Sequence, residues 1–154
     1  MSVPSGVSLE AIKAELPLVL AYANSANLVV DVSGLTEDNL RFYVHFANAD
    51  REYFHVEFDC FDYPLHPPTV EFINEDRSLR GAKNLYPQGF HGMPCICMRY
   101  NRKAYVERGG PHNDWRLLDW RLPTSNGVAI DTITLMLSDL ESKIRESSGR
   151  MRES

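Results

Sequence analysis

Two cysteines separated by one isoleucine, Cys95-Ile96-Cys97, carry the most distinctive chemistry in this chain. A thiolate is a strong nucleophile and a soft metal ligand, so a Cys-x-Cys can serve acyl transfer, metal binding or neither. Amides stand on either side in sequence, at Gln88 and Asn101. An amide N–H aimed at a developing oxyanion would assist a thioester reaction. Imidazoles also flank the pair, at His91 and His112, and with Cys95 and Cys97 they make a conceivable zinc set. That spacing is a much weaker zinc pattern than two Cys-x-x-Cys knuckles, so the expectation is no bound metal, with both histidines and Asn101 as candidate loop support. The third cysteine, Cys60, falls on the apolar side of an alternating run and is expected in the core.

The elements that must position these groups come earlier in the chain. "SLEAIKAELPLVLAYAN" repeats Leu9, Ile12, Leu16, Val19 and Ala23 at helical spacing, with Ser8 as a candidate N-cap. Pro17 lies inside that pattern, so the helix is expected either to kink or to stop near Leu16. Three alternating runs follow, "LVVDV", "RFYVHF" and "YFHVEFDCF", joined by short turn-rich connectors. They predict a hairpin-linked antiparallel meander, with His45 and His55 on its solvent face. Next comes "YPLHPPTVEF", residues 63–72, whose three prolines exclude a helix and read as a rigid crossing into a fourth strand, "TVEF". His66 in this crossing is assigned no role. Residues 74–127 show no sustained period, and long segments of that kind inside a domain usually carry function. Tyr86, Tyr100, Tyr105, Trp115 and Trp120 are expected to pack it. Arg99, Arg102, Lys103 and Arg108 read either as solvated surface or as a docking patch for an acidic partner. A closing helix is expected within residues 125–144, with Ile133, Met136, Leu137, Leu140 and Ile144 as its apolar stripe and Ser125 or Asn126 as cap. The tail from about residue 146 is expected to fray.

These patterns describe one α+β domain over residues 1–154, whose sheet needs helices to cover its apolar face. Its 154 residues can bury a core without disulfides or metal. A net charge of −5 argues against a generic binder of nucleic acid or anionic membrane. No apolar run approaches the roughly 20 residues that span a bilayer. Three cysteines do not read as a secreted disulfide framework, and no signal peptide is evident, so the cytoplasm is the expected compartment.

A helix, a four-stranded meander, a proline crossing and a cysteine-bearing loop, in that order, resemble the ubiquitin-conjugating enzyme fold. "YPLHPPTVEF" is similar to that family's Tyr-Pro-x-x-Pro-Pro-x-Val-x-Phe signature at all six fixed positions, and "ICM" at 96–98 resembles the Ile-Cys-Leu of its catalytic cysteine. The resemblance implies Cys97 as the acyl-carrying nucleophile, with Cys95 as a second thiol or a packing residue, and no cofactor. The chain departs from the family in lacking a His-Pro-Asn tripeptide. The nearest equivalent, "YPQ", places Gln88 nine residues before Cys97 and makes it the candidate oxyanion donor, with Asn101 the less favoured one. Only one helix is expected after the cysteines, and the first helix offers a single basic residue, Lys13.

Those departures resemble the divergent bacterial members of the fold, which are associated with antiphage defence. The implied partners are a ubiquitin-like modifier protein, an activating-enzyme-like protein and a deubiquitinase-like peptidase, with no nucleic acid and no membrane. Two other readings compete. The same fold without a working cysteine can be a non-catalytic module that grips a modifier, and a zinc-stabilised domain of unrelated function is the third.

Overall fold

The computed structural model describes residues 2–90, 95–123 and 127–152. Helix α1 spans Ser5–Ala26, followed by strands β1 (Val29–Asp31), β2 (Arg41–Ala47), β3 (Tyr53–Asp59) and β4 (Thr69–Ile73), and helix α2 spans Ile133–Arg145. The strands form one antiparallel sheet in the order β1-β2-β3-β4. Its register pairs Phe42 with Phe58, Val44 with Val56, Phe46 with Phe54, and then Phe58 with Val70 and Val56 with Phe72. All of these side chains are buried on one face, as a two-residue period requires. The Phe42 and Phe58 rings stack at 4.9 Å. Both helices cover this face: α1 packs on β1, α2 packs on β2, and the helices touch each other. Burial of each such aromatic or branched side chain is worth about 1.5–3 kcal/mol, so the meander and its two covers stabilise one another.

Helix α1 neither stops nor ends at Pro17. The proline is solvent-exposed, and the carbonyl it cannot bond belongs to Lys13, also exposed, so water satisfies it. The opposite side, Ile12, Val19 and Ala23, stays packed and holds the helix together. The expected cap is corrected too. The helix begins at Ser5 after Pro4, with Val7 N–H donating to Pro4 O at 2.9 Å, and Ser8 is a buried interior residue whose hydroxyl donates to Tyr63 O at 2.6 Å. α2 carries the expected buried stripe, Ile133, Met136, Leu137, Leu140 and Ile144, but its cap is Thr132, whose side chain accepts from Leu135 N–H. Ser125 and Asn126 lie outside the described residues.

The tail does not fray where expected. Ser147 and Met151 are buried, Met151 N–H donates to Tyr86 O at 2.8 Å, and Gln88 N–H donates to Gly149 O at 2.6 Å. A bridge between Pro87 and Arg150 completes this clasp. The outer sheet face also differs from expectation. His45 and His55 are register partners whose Nδ1 atoms meet, half-buried rather than free in solvent. No helix among the described residues is long and apolar enough to cross a membrane.

Candidate functional site

The proline crossing and the cysteine loop are one assembly. Asp62, with a left-handed φ of 66°, turns the chain into the crossing, and its carboxylate accepts from Val3 N–H at 2.9 Å and Arg102 Nη1 at 3.3 Å. Farther along, Arg102 N–H donates to Pro68 O at 2.9 Å, and Trp120 Nε1–H donates to Leu65 O at 3.1 Å. The loop thus uses the Leu65 and Pro68 carbonyls of the crossing as anchor points.

Asn101 is the pivot of this anchoring. It is fully buried; its Oδ1 accepts from Val70 N–H at 2.9 Å and Lys103 N–H at 3.1 Å, while its Nδ2 donates to Ile96 O at 2.9 Å. The amide thus bonds the start of β4 to the isoleucine between the cysteines. Fully buried and bonded at both ends of its amide, it holds the loop rather than facing solvent.

Ile96 is buried in the core, and it divides two unequal thiols. Cys95 is buried and Cys97 is partly exposed, and Cys97 lies within electrostatic reach of Cys95. Burial, followed by the neighbouring Cys97, pushes the Cys95 thiol up to about 12. Cys60 lies fully buried beneath the sheet, where burial pushes its thiol well above the ordinary range. Of the three cysteines, Cys97 is the one that is not buried.

Beneath the pair runs a polar relay that sequence reasoning missed. Tyr86 is buried, lies within electrostatic reach of both Cys95 and Cys97, and donates its hydroxyl to buried Glu71, which also pairs with the Lys103 ammonium. Burial, then the two cysteines, raises the Tyr86 phenol, so it stays a neutral donor. The only sequence hint was a glutamate at a position of β4 where alternation allowed an exposed residue. Pairing with two elements of the loop is what buries it.

The remaining candidates separate. Gln88 is exposed; its Nε2 donates one hydrogen to Arg150 O at 3.1 Å, leaving the second for another acceptor. With Gly89, Phe90, Lys143, Glu146 and Ser147 it lines a cavity of about 250 Å³, and Lys143 Nζ touches Met98 Sδ at 3.3 Å, so this cavity adjoins the cysteine loop. His112 stacks on Trp115 with ring centroids 3.6 Å apart and its Nδ1 sits 3.7 Å from Asp114 Oδ1. Arg99 lies over the same indole at 5.3 Å. His91 lies outside the described residues. Among the described residues no three His, Cys, Asp or Glu side chains converge as a metal-ligand set. Of the basic residues after the cysteines, Arg102 is buried on Asp62, Lys103 pairs with Glu71 and Arg99 covers Trp115, while Arg108 is exposed. Tyr86, Tyr100, Tyr105 and Trp120 are buried and pack the loop as expected.

No protein-family model, no curated protein and no solved structure matches this chain.

Proposed function

We propose that this protein is a conjugating enzyme that carries a ubiquitin-like modifier as a thioester on Cys97 and delivers it to an amine, in bacterial antiviral defence. One observation carries the reading: Cys97 is the accessible thiol of a loop pinned through Asn101 to the exit of the proline crossing. A carrier thiol must be exposed enough to meet two large partners yet fixed enough to hold a carbonyl in one place.

The Cys97 thiolate attacks the carbonyl carbon of the modifier's thioester on the activating enzyme. The tetrahedral oxyanion collapses, expels that enzyme's thiolate, and leaves the acyl group on Cys97. An acceptor amine then attacks the same carbon, loses a proton to solvent or a base, and expels the Cys97 thiolate. Gln88, with one amide hydrogen uncommitted on the solvent side, is the candidate donor to the second oxyanion. The partners of this reading are the activating-enzyme-like protein and the modifier, with a deubiquitinase-like peptidase reversing the product.

The test is charging. With its cognate activating enzyme, modifier and ATP, the protein should gain one modifier through a bond that excess small thiol cleaves. Cys97→Ala should abolish this adduct, Cys97→Ser should give a thiol-resistant oxyester, and Cys95→Ala should still charge. If Cys97→Ala charges normally, the nucleophile is misassigned. If the wild-type protein never charges, the non-catalytic modifier-binding module replaces the enzyme.

A further inference from the structure

Cys95 and Cys97 stand two residues apart with the buried side chain of Ile96 between them. Ile96 is buried in the core, and the two thiols flank it on one short stretch of loop backbone. Cys97 lies within electrostatic reach of Cys95. Two extended residues span at most about 6.8 Å, the upper edge of the Cα separations that a disulfide bridges. Any relaxation from full extension brings the pair inside that range. The cysteines also differ in access, Cys97 being partly exposed and Cys95 buried. An attackable sulfur with a shielded partner is the arrangement of a reacting and a resolving thiol.

We infer that Cys95 and Cys97 are an oxidative modification site, which a hydroperoxide converts to an intramolecular disulfide. The Cys97 thiolate attacks the peroxide oxygen, breaking the O–O bond; Cys97 becomes a sulfenic acid and, for hydrogen peroxide, one water leaves. The Cys95 sulfur then attacks the Cys97 sulfur and displaces hydroxide, which takes the Cys95 proton and leaves as the second water. Two thiols lose two hydrogens and two electrons, and the peroxide gains them. Asn101, bonded to the Ile96 carbonyl, holds the backbone between the two cysteines meanwhile.

The inference stands apart from the acyl-carrier reading, because its readout is thiols and mass. Trypsin should release residues 84–99, with Cys95 and Cys97, as one peptide, and residues 52–77, with Cys60, as another. After hydrogen peroxide and alkylation, the intact protein should fall from three titratable thiols to one. The 84–99 peptide should lose two hydrogens, distinct from any oxygen gained at Met93 or Met98, while Cys60 stays alkylatable. Dithiothreitol should restore all three. In Cys95→Ser the same peptide should gain oxygen on Cys97 and lose no hydrogens. Wild-type protein that accumulates oxygen on Cys97 while Cys95 remains alkylatable would overturn the inference. Recovery of the peptide only as a cross-linked dimer would do the same.

Discussion

The Tyr100 hydroxyl donates to Asp139 Oδ2 at 2.8 Å, and the Lys143 ammonium meets that same oxygen at 2.6 Å. One carboxylate of α2 thereby holds the segment after the cysteines through a phenol, while Lys143 reaches on to Met98. Hydrogen bonds to a charged acceptor are worth about 1.5–3 kcal/mol. Tyr100→Phe should lower the urea midpoint by an amount equivalent to about 2 kcal/mol with an unchanged m-value. The ring still packs, so a loss near zero would mean that the hydroxyl does not tie the loop to the helix.

Asn101→Ala should be more damaging than its single side chain suggests. It strands the Val70 and Lys103 N–H groups and the Ile96 carbonyl, all beside a fully buried site. Each stranded buried group costs about 1–3 kcal/mol, and partial relaxation brings the total to about 3 kcal/mol. Asn101→Asp keeps the acceptor but loses the donor and buries a charge, so it should not rescue. Hydrogen exchange at Val70, faster by the same free energy as the global loss or more, checks the assignment.

Gly110 allows a close backbone crossing that no larger residue fits. A Cβ there would lie 2.2 Å from both the Ala104 carbonyl carbon and Lys103 O, atoms of backbone that cannot step aside. Gly110→Ala should cost about 2–4 kcal/mol, as steric overlap against fixed backbone does. The displacement should show first in the Ala104–His112 hydrogen bond, whose 3.0 Å length depends on this turn. An alanine variant with wild-type melting would rule out the crossing.

Acid should unfold the protein in two stages. Burial lowers the affinity of His45, His55 and His66 for protons below the ordinary imidazole value. Around the first two, Asp31 and Glu75 favour protonation and Arg77 and Arg150 oppose it. Around His66, Arg102 opposes it while Asp62 and Glu107 favour it. The unfolded chain thus binds more protons than the folded one just below the ordinary value of about 6.5, and stability rises with pH there. The contribution is complete above about pH 7 and is lost as pH falls through the lowered values. A second loss follows at lower pH from Asp31 and Glu57. Hydrogen bonds from Ser33 and then Arg77 hold Asp31 well below the carboxylate range, and Arg80 holds Glu57 below it despite burial. Urea midpoints should decline from pH 7 to 5, and His55→Gln should flatten that slope. An unchanged slope would show that the histidine pair does not report on folding.

Where a single element could bury one face, the sequence revealed it. The alternation through Phe54, Val56 and Phe58, the stripe of α2 and the core placement of Cys60 all follow from a period that one residue type repeats. The proline crossing was equally legible, because proline removes alternatives locally. What stayed hidden depends on partners distant in sequence. Asn101 could be read as oxyanion donor or as loop support, and only its bond to Val70, 31 residues away, separates the two. Arg102 and Lys103 looked like surface charge until Asp62 and Glu71 paired with them. The tail looked loose because its anchor, Tyr86, sits across the molecule. Pro17 left a kink or a stop open, and the stop is excluded: a helix whose packed side is intact tolerates a missing bond on its wet side.

The two tryptophans sit in unlike surroundings on the same loop, and this gives the molecule an optical reporter of its own. Trp120 is sealed, with its indole N–H on the Leu65 carbonyl of the crossing, whereas Trp115 lies half-exposed in a stack with His112. The emission therefore has a blue component from the seam between crossing and loop and a redder one from the outer stack. Parting of the seam admits water to Trp120 alone and moves only the first. Fluorescence can thus distinguish a loop that has lifted from a protein that has unfolded, without any added label.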